Sequence, residues 1–283
     1  MEIAVLLESP FMNDWGSLSR AERDGAYNNS AAVRNSPALN EARTTASASF
    51  RRQPRAQLDL AYGPGERQRW DLYPAADPEA PCFVFIHGGY WQRNRREDFG
   101  ALGAGLQAHG WSIALPGYSL APAARLTEIV ADIDAALDWL QREGPGCGIR
   151  GKLLISGWSA GGHLAAMALG HQAVTAGLAI SGVYELGPIR DTYLNEALQL
   201  TDSEIATLSP LRLPPIDKPL DIAYGTRELP PLVSDSRDLH AMRAAAHRSG
   251  ALHPVAGADH FTIVDELSSP DGLLVKAARH LID

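Results

Sequence analysis

The run Cys82-Phe83-Val84-Phe85-Ile86 offers no polar face. A short segment that is apolar on both sides of a strand belongs inside a sheet covered above and below. Runs of the same kind recur at 111–115, 153–156, 177–180, 220–224 and 251–255, with helical patterns between them at 99–109, 126–141, 160–169, 234–248 and 273–281. Buried strands that take turns with helices predict a mostly parallel sheet with helices on both faces. Two earlier segments, 57–62 and 69–73, alternate apolar and polar residues around Gly63-Pro64-Gly65, which predicts an antiparallel hairpin at the N-terminal edge. The expected architecture is therefore α/β with eight strands.

The 283 residues allow one large domain or two small ones at roughly 150 residues each. No repeat or low-complexity linker divides them. Residues 1–55 are polar, with a loose helical rhythm at Ala31, Val33, Ala38, Leu39 and Ala42, and predict an extension of irregular chain and one or two short helices packed on a core domain at 56–283. Turn residues between Pro188 and Pro215 interrupt the alternation, so a lid-like excursion around 185–215 is expected over the carboxyl ends of the strands.

Several classes are disfavoured. The balance of 25 Lys and Arg against 33 Asp and Glu gives −8, and the three lysines, Lys152, Lys218 and Lys276, form no basic block for nucleic acid or an anionic membrane. No apolar run reaches the roughly 18 residues of a membrane helix. Met1-Glu2-Ile3-Ala4-Val5-Leu6-Leu7-Glu8 lacks the basic flank of a secretory signal, so a cytoplasmic protein is expected and the Asn28-Asn29-Ser30 sequon carries no weight. Cys82 and Cys147 suggest neither a disulfide framework nor a zinc site, and there is no H-E-x-x-H, so no metal is expected. Gly146 to Lys152 mimics a phosphate loop but continues with Leu153 and precedes a strand; Gly103, Gly105 and Ala108 mimic a dinucleotide fingerprint inside a helical stretch. No cofactor is indicated.

The chemistry sits at Gly157-Trp158-Ser159-Ala160-Gly161, which joins the apolar run at 153–156 directly to a helical segment. A sharp strand-to-helix turn with small residues on either side raises a serine hydroxyl above the sheet, where it can act as a nucleophile. Ser159 is the expected nucleophile. His87-Gly88-Gly89-Tyr90-Trp91 ends the first buried run, where glycines let backbone amides approach an oxyanion; Gly89, Tyr90 and Ala160 are the expected donors, with Gly88 permissive or itself a donor. His87 reads as a brace for that loop. A serine nucleophile needs a base and an acid further along the chain. His260 follows the last strand and is the best placed of the nine histidines, and Glu228 is the first carboxylate after the penultimate strand, with Asp235 as the alternative.

With these elements in order the chain resembles the α/β-hydrolase superfamily, and within it the kynurenine formamidase (arylformamidase) and related carboxylesterase group. The likeness runs through Tyr62-Gly63, Asp71-Leu72-Tyr73, His87-Gly88-Gly89-Tyr90-Trp91, Tyr118-Ser119-Leu120-Ala121-Pro122, the Ser159 elbow with Gly162-His163-Leu164, Leu208-Ser209-Pro210 and Asp259-His260-Phe261. Glu228 stands where that group has Asp, and Trp158 occupies the elbow position before the serine. The resemblance implies a serine hydrolase that removes a small acyl group, as a formamidase or a short-chain carboxylesterase; a hydrolase-fold binding protein without activity is the remote alternative. Trp91, Tyr118 and Trp158 are expected either to wall a site for a small-molecule acyl substrate, with an aromatic one suited to that wall, or to be ordinary packing. The oligomeric state stays open, a homodimer among the options.

Overall fold

A computed structural model describes residues 15–282. The Met1 to Glu8 segment read above, and with it the start of the N-terminal extension, lies outside the described residues. The strands are β1 (Gln57–Ala61), β2 (Arg69–Tyr73), β3 (Cys82–Ile86), β4 (Ser112–Pro116), β5 (Leu153–Trp158), β6 (Val174–Ile180), β7 (Leu220–Gly225) and β8 (Leu252–Val255). They form one eight-stranded sheet in the order β1-β2-β4-β3-β5-β6-β7-β8. Only β1 with β2 and β2 with β4 are antiparallel, so the hairpin is the edge that its alternation predicts.

The pleat of β3 divides the core. Cys82, Val84 and Ile86 pack with the helix Leu126–Glu143, while Phe83 and Phe85 pack with the helix Leu273–Ile282 on the opposite face. Leu126, Ile129, Ile133, Leu137 and Leu140 are the buried stripe of the first of these helices, at the three- and four-residue spacing an amphipathic helix requires. Each such side chain, fully buried, contributes about 1.5–3 kcal/mol.

Several boundaries differ from expectation, each for a local reason. The 99–109 stretch is one short 3₁₀ segment, Gly100–Gly103, before one helical turn at Ala104–Ala108, because glycine at 100, 103 and 105 weakens the helix. The helix expected from 234 begins at Pro230, since prolines in the first turn need donate no amide. The polar N-terminal region holds a 15-residue helix, Ser36–Phe50, after the short helices Arg20–Ala26 and Asn29–Ala32. Its inward stripe is Ser36, Leu39, Arg43, Ser47 and Phe50, while Ala38 and Ala42 face outward. A stripe that is mostly polar escapes a search for apolar periodicity.

That helix is tied to the sheet by buried charge. Asp71 on β2 accepts from Arg96 Nε at 3.1 Å and from the Asp59 amide at 3.1 Å, and pairs with Arg51 just beyond the helix. The Asp71 side chain is fully buried. Removing one member of a buried pair leaves its partners uncompensated. Asp71→Asn should lower the unfolding free energy by about 3 kcal/mol, read from the urea midpoint at unchanged slope; an unchanged midpoint would show that Arg51 and Arg96 are satisfied without the charge.

The excursion between β6 and β7 carries the helices Asn195–Leu198 and Asp202–Leu208 and is anchored through Glu204. Burial alone would raise the pKa of this carboxyl, but hydrogen bonds from Arg125, Thr201 and Thr127 outweigh it and hold the group at about 2. A carboxylate depressed in the folded state stabilises above its ordinary value and loses that contribution as pH falls through the folded value. The stability difference between the parent and Glu204→Gln should therefore be full above pH 4.5, shrink below it and vanish near pH 2, as followed by denaturant melts at several pH values.

Candidate active site

The sharpest local constraint is the turn between β5 and the helix Ala160–Ala168. Ser159 holds φ 60 and ψ −122, a conformation that costs a non-glycine residue about 1–3 kcal/mol. Its amide donates to Ile180 O at 2.8 Å, and its carbonyl accepts from His163 N at 3.1 Å. The flanking glycines are sterically required: a Cβ on Gly161 would stand 2.0 Å from Ile86 O, and one on Gly157 would stand 2.1 Å from Gly161 O. Any side chain there would push the helix off β3.

The turn brings Ser159 to His260, on the loop after β8. Ser159 Oγ and His260 Nε2 are 3.0 Å apart, and His260 Nδ1 lies 3.1 Å from Glu228 Oε2. With the acceptor-only carboxylate at Nδ1, the proton belongs on that nitrogen and leaves Nε2 free to accept from the serine hydroxyl. Trp158 supports the base from beneath: its ring centroid is 4.9 Å from that of His260, and its Nε1–H donates to His260 O at 2.8 Å. The second oxygen of Glu228 accepts from the Gly225 amide at 2.8 Å and from the Ser181 hydroxyl. Asp235 is placed elsewhere. Its carboxylate accepts from the amides of Tyr184 at 2.6 Å and Glu185 at 3.0 Å, and burial, only partly opposed by those two bonds, raises its pKa to about 8.

The loop after β3 lies against the elbow, since a Cβ on Gly88 would meet Ser159 Cβ at 3.0 Å and Trp158 O at 2.6 Å. Gly89, Tyr90 and Trp91 all have positive φ, at 121, 50 and 57. Among the described residues no backbone carbonyl accepts from the Gly89 or Tyr90 amide. The Ala160 amide, in the first helical position, has no acceptor within its helix. The three expected donors thus have no backbone acceptor among the described residues. His87 sits between the rings of Tyr118 and Phe99, at 4.3 and 5.7 Å, with Nδ1 2.8 Å from Gly88 O; burial pulls its pKa down to about 3, so it is a neutral brace.

The expected aromatic wall is not a wall. Trp91, Tyr118 and Trp158 are buried and pack against other groups of the site, the ordinary packing that was the alternative. Trp91 meets His163 edge-on at 5.1 Å, the Tyr118 hydroxyl donates to His87 O at 2.7 Å, and Trp158 underlies His260. Aromatic character near a catalytic motif does not separate a lining ring from a foundation. Ser181, which holds Glu228, was missed by the sequence reading; it follows the last residue of β6 with φ 50, and its only sequence signal is a hydroxyl directly after a buried strand. Among the described residues no group of three or more His, Cys, Asp or Glu side chains could hold a metal ion, and no helix is long and apolar enough to cross a membrane.

Comparison with known proteins finds hydrolases. The BD-FAE family model matches residues 71–179, the span from β2 through the elbow to β6. Kynurenine formamidase of Danio rerio is 28% identical over 96% of this chain and 99% of its own length. Esterase LipC of Mycobacterium tuberculosis is 32% identical, but over 38% of this chain and 28% of its own. Among solved structures, a candidate thioesterase from Silicibacter sp. TM1040 superposes with a TM-score of 0.81 at 27% identity, covering 91% of this chain and 99% of that one. The chain has the α/β-hydrolase fold and is a hydrolase related to kynurenine formamidases and esterases.

Proposed function

We propose that this hydrolase removes a formyl group from an aromatic amine, in the manner of an arylformamidase, with Ser159 as nucleophile, His260 as base and Glu228 as acid. The supporting geometry is the hydrogen-bond chain from Glu228 Oε2 through His260 to Ser159 Oγ, at 3.1 and 3.0 Å. Formamide as substrate is supported by extent of likeness: the formamidase aligns along almost its whole length, whereas the esterase aligns over only 28% of its own. Preference for an aromatic leaving group rests on that relative alone. The fold shared with esterases supports a second reading, a short-chain carboxylesterase with the same site. Two unpaired cysteines are in keeping with work in the cytoplasm.

In this mechanism Ser159 Oγ attacks the acyl carbon as its proton passes to His260 Nε2. The amides of Gly89, Tyr90 and Ala160 take the charge that develops on the acyl oxygen. Collapse of the tetrahedral species breaks the bond to nitrogen, and His260 returns the proton to the departing amine. Water, deprotonated by the same nitrogen, then attacks the acyl-serine and releases formate. Glu228 keeps the imidazole in the required tautomer and stabilises its charged form throughout.

Measured side by side, N-formylkynurenine should give a higher kcat/KM than p-nitrophenyl acetate or butyrate; the reverse order would favour the carboxylesterase. Ser159→Ala should lower kcat by about five to six orders of magnitude and abolish labelling by a fluorophosphonate, and labelling that persists would remove Ser159 from the nucleophile role. Glu228→Gln should cost about four orders of magnitude in kcat with the fold intact, and Ser181→Ala about one, since the carboxylate loses one of its three holds. Asp235→Asn should leave kcat close to the parent value. The opposite ranking of Glu228 and Asp235 would reassign the acid.

A further inference from the structure

Tyr90 and Trp91 hold φ values of 50 and 57 in succession, each a conformation that a bulky side chain adopts only when its surroundings impose it. The loop itself supplies part of that hold: Trp91 O accepts from Ala121 N at 2.9 Å, and Gly89 O accepts from the amides of Gln92 and Arg93 at 3.0 Å each. The hold on Tyr90 comes from outside the core domain. Its hydroxyl donates to Tyr27 O at 2.7 Å and accepts from Asn29 Nδ2 at 2.9 Å. All three residues are buried, and burial keeps the phenol protonated, as the donated bond requires.

Tyr27 and Asn29 lie where the helix Arg20–Ala26 gives way to Asn29–Ala32, a junction set by Asn28, whose side chain caps the second helix at Ala31 N. The same stretch reaches across to the excursion after β6. Asp24 Oδ1 accepts from Tyr193 N at 2.7 Å, and Trp15 Nε1 donates to Asp191 at 3.1 Å. Residues 15–29 therefore span from the oxyanion loop to the opposite segment, and Tyr90 is where that span touches a residue whose amide is an expected oxyanion donor.

We propose that Tyr27 and Asn29 are positioning residues for the oxyanion hole: by fixing the Tyr90 hydroxyl they fix the direction of the Tyr90 amide. This rests on the serine-hydrolase reading above. An amide turned away from the developing oxyanion weakens transition-state binding and leaves ground-state binding almost untouched, so the signature is a loss in kcat without a matching change in KM.

The test uses the full chain with p-nitrophenyl acetate as substrate and a trifluoromethyl ketone as a tetrahedral mimic. Tyr90→Phe keeps the ring and the amide but breaks both hydrogen bonds; kcat should fall about tenfold to a hundredfold with KM within about twofold, and the ketone should bind more weakly by the same factor. Asn29→Ala removes one of the two bonds and should give a smaller loss of the same kind. The double variant should be no worse than Tyr90→Phe alone, because both act on one hydroxyl. Urea midpoints report folding, and if Tyr90→Phe does not fold, Asn29→Ala decides by the same split. A Tyr90→Phe enzyme with the parent kcat and ketone affinity, or losses that add in the double variant, would overturn the proposal. Ser159→Ala run in parallel separates the two failures: full activity there defeats the serine-hydrolase reading, whereas an inactive Ser159→Ala beside an unimpaired Tyr90→Phe defeats only the role of the N-terminal residues.

Discussion

The close approach of the elbow to the end of β3 fixes the rest of the site. Gly161 rides on Ile86 O with no room for a Cβ, and Gly88 lies against Ser159 itself. The serine and the loop that would bind its oxyanion are thus interlocked by missing side chains, and neither can shift without the other. Parallel pairing sets this up, because Ile86 at the end of β3 is in register with Gly157 near the end of β5. The same logic extends along the sheet: Ser181 follows β6, Glu228 follows β7 and His260 follows β8. Every group of the site stands at the carboxyl end of a strand, where a parallel sheet collects its loops.

Glutamate in place of the family's aspartate is accommodated on this frame. Its longer side chain folds back on the turn after β7, so that Oε1 meets the Gly225 amide and the Ser181 hydroxyl while Oε2 faces His260. The carboxylate is fully buried, where an unpaired charge would be costly, and three donors satisfy it. Satisfaction of the charge and aim of the oxygen come from the same contacts. Asp235, bonded to the amides of Tyr184 and Glu185, shapes that turn instead.

The parts of this molecule that were legible in its sequence are those in which chemistry and periodicity coincide. β3 and β7 are short apolar runs because both of their faces are buried, and the elbow announces itself because only glycine fits on either side of Ser159. β6 was read too short, since exposed Thr175 breaks its apolar run near the start. Contacts made by one side chain with a residue distant in the chain leave no local pattern, which is why Ser181 and the contacts that bury Trp91 and Tyr118 could not be read in advance. The helix Ser36–Phe50 was hidden for a different reason: its buried stripe is built from serine and arginine.

That polar stripe follows from what the helix covers. A helix laid on the face of a sheet meets side chains and can be greasy, but one laid over loops meets unpaired backbone groups, each of which costs free energy if buried without a partner. Arg43 donates to Phe261 O at 3.2 Å while its guanidinium lies over the rings of Trp158 and Phe99, at 5.1 and 5.4 Å. Ser47 Oγ accepts from the Ala101 amide at 3.2 Å, and Arg51 reaches Asp71. Arg43 thereby touches the residue after His260 and the ring beneath it, with the charge held against aromatic faces at a gain of about 0.5–2 kcal/mol. The polar composition of the helix Ser36–Phe50, which in a core would argue against folding, is what allows it to seat on the loops that carry the site.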